Sequence, residues 1–246
     1  MDLFVTVAPP FPGGIGVSHL RVYDTPAPDG LAGGTPHLHT VCTEAYAVIN
    51  GAGEVHTLTS SGFKVTPLEP GAFVWFTPGT IHRLVNGGGL EILVLMANAG
   101  LPEAGDLVIT FPPEIVEDAN AYALASTLPD DDRTTTGPGT SARQRRDLAV
   151  PAFIDLITAT ERGDPRPLRA FHEAAAALVR PRLADFEKLW ESGPVAAVER
   201  TEEQLAALAN GSSAHLADAS VHAMPVPGEE RRLGCCGTLG TYVVSG

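Results

Sequence analysis

The sequence predicts a mainly β fold, a small antiparallel barrel over about residues 1–115 followed by a helical region. Three observations predict it. Short runs of strand composition, broken by turn signals at intervals of roughly eight to twelve residues, fill the first half. After Phe111 the texture turns polar and then apolar with a helical period. A chain with only 8 histidines places His37 and His39 one residue apart, where a strand begins.

The elements follow in order. Gly16 to Asp24 has strand composition. The runs EAYAVING and EVHTL, separated at Asn50-Gly51, read as a hairpin. Two more runs are split by Pro70-Gly71, with Lys64 placed on a turn. GLEILVLMA is a continuous apolar run and so a buried strand. Residues 116–150 read as a loop or linker, because LPDDDRTTTGPGTSARQRR is polar and rich in Pro, Gly and Thr.

Residues 151–210 read as a helical region. Pro151 opens a helix carrying Phe153, Ile154 and Ile157, and Gly163 stops it. Asp164 and Pro165 start a second, with Leu168, Phe171, Ala175, Leu178 and Val179 in period until Pro181. Leu183, Phe186, Leu189 and Trp190 make a third stripe. Thr201 and Gln204 form a capping box. In residues 211–246, LGCCGTLGTYVVSG reads as one more strand, able to return to the barrel.

Composition sets limits. Hydrophobic residues are 44% and charged residues 18%, the range of a globular protein with a core. The net charge of −13 repels phosphate backbones, so nucleic acid is not an expected partner. The short basic run Arg143, Arg145, Arg146 reads as a linker or helix start. The 3 cysteines, with Cys235 and Cys236 adjacent, imply no disulfide framework. The opening MDLFVTVAPPFPGG lacks a signal peptide's basic and apolar regions, and no run approaches a membrane span. A cytoplasmic protein is expected.

Alternate strand residues share a face, so His37 and His39 present two imidazoles together. Glu44 follows a short connection, with Tyr46 and Val48 in its parity, and His82 follows the Pro78-Gly79 turn. Three imidazoles and one carboxylate suit a divalent transition metal such as Fe, Mn, Zn or Ni and leave coordination positions open. Tyr46, Phe73, Trp75 and Met96 are pocket candidates, with Phe76 and Leu84 as further walls. Phe73 and Trp75 share one face and Phe76 takes the other. Arg83 should point away from the metal. His56 is expected at the surface or in a structural role, Cys42 as a small buried hydrophobe, and His172 on a helix surface. His215 and His222 have no assigned place. Cys235-Cys236 lacks zinc-site spacing.

These residues resemble the two cupin motifs. Gly34, His37, His39, Glu44 and Gly51 match the first, with Gly34 closer to the first histidine than the family pattern has it. Gly71, Gly79, His82 and Asn86 match the second, with Pro78 shifted by one from the usual position. The resemblance covers residues 34–86 and implies a cupin-type barrel, the double-stranded β-helix, with its metal inside and a homodimer as its assembly. It leaves the helical half unexplained.

The resemblance leaves several functions open. A dioxygenase acting on a small organic substrate, aromatic ones included, is expected first, because few residues here suit sugar hydroxyls or phosphate. A metal-dependent isomerase or other Lewis-acid enzyme, and a non-catalytic small-molecule binder, are the alternatives. Acid–base residues beside the open metal positions would favour catalysis.

Overall fold

The computed structural model describes residues 11–137 and 139–242. The reading of the opening residues as free of a signal segment falls on residues 1–10 and so lies largely outside these. In chain order the strands are β1 (Gly16–Val22), β2 (His37–His39), β3 (Glu44–Thr59), β4 (Gly62–Leu68), β5 (Phe73–Phe76), β6 (Ile81–Met96) and β7 (Leu107–Ile109). Six α-helices follow among the described residues: α1 (Pro113–Val116), α2 (Ala119–Ser126), α3 (Thr140–Glu161), α4 (Arg166–Val179), α5 (Leu183–Trp190) and α6 (Ala196–Ala209). Strands β8 (Arg232–Leu233) and β9 (Gly237–Tyr242) come last.

The strands form one antiparallel sheet in the order β4-β3-β6-β1-β9-β8. β2 joins β6 to β7, and β5 joins β3, so the sheet curls without closing completely. Its spine is the pair β3–β6, in register from Glu44 opposite Met96 to Leu58 opposite Ile81. The hairpin expected at Asn50-Gly51 is therefore corrected. β3 runs straight through that stretch with register shifts between Val48 and Gly53, facing the glycines of β6. Gly51 has φ of 73°, and a Cβ there would lie 2.1 Å from the Gly89 carbonyl oxygen. Two glycine-rich strands can thus cross at close range, and Asn-Gly marks a bulge. Lys64, expected on a turn, lies within β4.

Two apolar clusters hold the fold. Leu20, Tyr46, Val48, Val55, Leu84, Ile92 and Val94 fill the barrel. Leu38, Leu58, Ile81, Val108 and Phe111 form the base of the second cluster, which Phe153, Leu168, Phe171 and Phe186 complete from the helices. The helical unit is thereby seated on the barrel through these apolar faces. Leu178 and Leu189 are partly buried there, while Leu183 is exposed.

The stretch 116–150, expected as loop, contains α2 and the first half of α3. Pro151 therefore lies inside α3 and not at its start. The backbone N–H of Ser141 donates to the buried Asp132 carboxylate at 2.7 Å, and that of Gly139 does the same, so the helix begins earlier than Pro151 suggests. Thr201 likewise lies inside α6, where its hydroxyl donates to the Ala197 carbonyl at 3.0 Å. No capping box forms, because the chain enters α6 already helical from the Pro194 turn. β9 pairs antiparallel with β1 from Val17–Tyr242 to Val22–Gly237.

Candidate metal centre

β2 and β6 place His37 directly opposite His82. His39 stands two residues on, and Glu44 opens β3 opposite Phe76 and Met96. All four side chains are buried, and one donor atom from each lies within 4.8 Å of the others.

The hydrogen bonds fix where the ring protons sit. His37 Nδ1 lies 2.8 Å from the Thr35 carbonyl oxygen, and His82 Nδ1 lies 3.1 Å from that of Thr80. A carbonyl only accepts, so each Nδ1 carries its proton and each Nε2 presents a lone pair. Those two Nε2 atoms stand 3.1 Å apart. His39 Nδ1 is 3.1 Å from Asp106 Oδ2, which turns its Nε2 inward as well, 3.4 Å from Glu44 Oε2. Glu44 Oε2 is 3.0 Å from His82 Nε2 yet makes no well-directed hydrogen bond.

Three imine lone pairs and an orphaned carboxylate oxygen therefore converge on one point. Two nitrogens bound at about 2.1 Å and at right angles to one ion would lie about 3 Å apart, close to the separation seen. The donor set fits a divalent transition metal. Asp106, which the sequence reading missed, completes the support. Besides His39 it accepts the backbone N–H groups of Thr40 at 2.9 Å, Val41 at 2.7 Å and Cys42 at 3.1 Å.

Burial and neighbouring charge move the ionisation of these groups. Burial, with His82 and His39 beside it, holds His37 well below the ordinary imidazole range. Burial would lower His39 too, but the hydrogen bond to Asp106 and the adjacent Glu44 carboxylate overcome it and raise it to about 9, so its inward Nε2 offers a lone pair once that proton leaves. Burial opposes ionisation of Glu44 and Asp106. The imidazoles of His82 and His39 outweigh it for Glu44, and His39 and Thr40 do so for Asp106, so both stay below the carboxylate range.

The walls are aromatic. The Phe76 ring lies 4.3 Å from that of His82, and Tyr46 stands edge-on to Phe76 at 5.3 Å. The Tyr46 hydroxyl is fully buried without a hydrogen-bond partner, near Glu44 and the Cys236 thiol. The turn carrying Cys235 and Cys236 lies over Gly34 and Thr35, where the Thr35 N–H donates to the Cys235 carbonyl at 2.8 Å. A Cβ on Gly34 would meet Cys236 Cα at 2.6 Å, which explains the first motif's glycine.

Other expectations are corrected or placed. Phe73 and Trp75, offered as pocket residues, lie on the outer face and are 56% and 65% exposed, because β5 turns Phe76 and Val74 inward. Met96 is half-buried and touches both clusters. His172 is not a free surface residue, since its Nε2 donates to the Gly79 carbonyl at 3.0 Å and ties α4 to the His82 loop. Arg83 points away from the cluster onto Asp29 and the Gly34 and Leu31 carbonyls. His56 Nε2 pairs with Glu54 at 2.9 Å, and Cys42 is buried. His222 Nε2 lies 2.9 Å from the Ser220 hydroxyl in an exposed segment. Two hollows of about 350 and 300 Å³ lie on the helical unit around α1 and α4, and neither reaches the four cluster residues.

Residues 25–97 match the family model described as Cupin domain. Those residues form a cupin domain. A search of curated proteins finds no match for the chain. Solved structures similar to it include a conserved protein with a double-stranded beta-helix domain from Klebsiella pneumoniae, at 24% identity over 39% of this chain and 71% of that one, TM-score 0.27. A cupin protein from Bacteroides fragilis is 17% identical over 35% and 65%, TM-score 0.26. A TDP-quinovose 3,4-ketoisomerase from Campylobacter jejuni is 14% identical over 33% and 60%, TM-score 0.28. The chain thus spans less than two thirds of the latter two. Neighbours this distant decide nothing about substrate or chemistry.

Proposed function

We propose that this cupin is a metal-dependent enzyme that holds one divalent transition metal through His37, His39, Glu44 and His82 and acts on a small organic molecule. The facing lone pairs of His37 and His82 carry the reading. When bound, the metal supplies a Lewis acid with open positions and, if it is iron, a centre for oxygen chemistry.

The chain's own residues do the rest. Asp106 orients His39, and Glu44 brings the negative charge. Phe76 and Tyr46 keep water from the cluster. Burial, then the nearby Glu44, holds the Tyr46 hydroxyl well above its usual range, so it stays protonated and can donate to a ligand oxygen. The buried cations beside the barrel are engaged within the chain, Arg83 on Asp29 and Arg146 on the Thr25, Pro26 and Gly33 carbonyls. That supports a small organic substrate, aromatic ones included, over a sugar phosphate, and a dioxygenase as the first reading. Tyr46 is also the observation that favours a second, a metal-dependent isomerase or other Lewis-acid enzyme, because such chemistry needs a proton donor. A non-catalytic binder would leave that hydroxyl without a task.

A cytoplasmic setting, which three free cysteines fit, and a second copy of the chain as partner belong to this reading. No helix among the described residues is long and apolar enough to cross a membrane. The test is the iron-loaded protein with nitric oxide, followed by electron paramagnetic resonance. A high-spin signal perturbed by a bound diol or organic acid, with oxygen uptake, supports the dioxygenase. Refusal of iron, tight zinc or manganese and no oxygen uptake would sink it.

A further inference from the structure

The helical unit carries a groove that the metal centre does not use. The hollows of about 350 and 300 Å³ share Val116, Glu117 and Ala170, so they are two halves of one depression between α1, α3 and α4. Its floor is apolar and buried, made by Phe111, Val116, Leu156 and Phe171. Its walls are stiff. Pro112, Pro113, Pro151 and Pro167 all line it, and a proline ring fixes its own backbone torsion. Pro151 stands inside α3, where the ring gives up a helix hydrogen bond and sets a rigid apolar edge on the groove. Such a hollow is formed before a ligand arrives, which lowers the entropy cost of filling it.

Three carboxylates edge this apolar surface: Glu117 on both halves, Asp155 on one and Glu173 on the other. Among the described residues none of the three has an ion pair or a side-chain hydrogen bond. The two arginines of α4 are drawn elsewhere. Arg166 pairs with Asp164 at 2.7 Å, and Arg169 adds its charge beside the same carboxylate. Nor do the three carboxylates make a metal site. Among the described residues, the group of His, Cys, Asp and Glu close enough to share one ion is the cluster in the barrel.

We propose that this groove binds a small organic cation, an ammonium group joined to a flat apolar body. Sites for small molecules are mostly apolar, with a few polar groups that set orientation, and this groove has that make-up. The apolar body covers Phe111, Val116 and Phe171, while the ammonium meets Glu117 and the carboxylate beside it. Charge chooses the class. Like charges around one hollow repel an organic acid. A neutral apolar ligand leaves their mutual repulsion as it is, whereas a cation relieves it and gains its attraction to each carboxylate. A bare metal ion has no use for the apolar floor. Glu117 belongs to both halves, so the first cation neutralises it and one ligand per chain is the expected occupancy.

The test is calorimetric titration of the full chain at low salt with 2-phenylethylamine, set against 2-phenylethanol, which has the same body and no charge. The amine is expected to saturate at about one per chain with Kd below about 1 mM, and the alcohol to bind at least about tenfold more weakly. Asp155→Asn and Glu117→Gln are each expected to weaken the amine roughly threefold to tenfold at low salt and to leave the alcohol unchanged. Ala170→Trp, which fills both halves, is expected to abolish both, with metal content and circular dichroism unchanged. His37→Ala/His39→Ala is expected to bind the amine as the wild type does, because neither hollow reaches the cluster. If Ala170→Trp does not fold, the two charge variants, at exposed positions, decide alone. An alcohol that binds as tightly as the amine, amine binding indifferent to both charge variants, binding that survives a folded Ala170→Trp, or binding lost with the two histidines overturns the proposal.

Discussion

His37 and His82 face each other across β2 and β6 with 3.1 Å between their Nε2 atoms, while both rings hold their protons on the far side. Two lone pairs that close repel unless a cation lies between them. The backbone carbonyls of Thr35 and Thr80 therefore prepare the cluster for a metal, and the remaining donors follow from the same sheet.

Asp106 is the residue on which this preparation most depends outside the four ligands. Asp106→Ala removes the acceptor that orients His39 and the anchor of the 40–42 turn. Metal affinity is expected to fall roughly 10–100-fold, measured by competition with a chelator. Unchanged affinity would show that His39 is positioned without it.

Acid should release the metal. Binding needs neutral imidazoles, whose ordinary pKa is about 6.5. Affinity is expected to be level only above about pH 9 and to fall steadily as pH drops from there toward 5, since His39, raised to about 9, must lose a proton before it can bind a metal. Chelator competition across a pH series checks this, and affinity independent of pH over that range would contradict it.

Arg83 and Asp29 form a pair in which the guanidinium is almost wholly buried. Arg83→Met leaves the carboxylate without its partner and the Gly34 carbonyl without its donor. A loss of about 3 kcal/mol in urea unfolding is expected, and adding Asp29→Asn should recover part of it. Equal stability of the two variants would mean that the carboxylate is adequately solvated alone.

Phe171 binds the helical unit to the barrel through the cluster it shares with Phe153 and Phe111. Phe171→Ala is expected to cost roughly 3–5 kcal/mol while metal content stays at its original level, because the cluster draws its ligands from strands alone. Hydrogen exchange should show α3 and α4 protected in the wild type.

Much of this was legible in the sequence. The spacing of His37, His39, Glu44 and His82 located the cluster because strand periodicity and motif spacing are local signals. Helical stripes such as Leu168 and Phe171 were readable for the same reason. What failed depended on distant contacts. Asn50-Gly51 looks like a turn, but Gly89 lies across from it. Pro151 looks like a helix start, but Asp132 caps the chain earlier. Phe73 and Trp75 were separated correctly from Phe76 by parity, yet parity does not say which side is inside. Asp106 stands 62 residues beyond Glu44 in a short turn, and nothing near it in sequence marks its task.

The most direct test is the metal content of the full chain purified without chelator or nickel resin, read by elemental mass spectrometry. About one divalent transition metal per chain is expected in the wild type, and none in His37→Ala/His39→Ala of unchanged fold. The same metal content in that variant, or a wild type that stays empty after exposure to iron, manganese, zinc and nickel, would contradict the account.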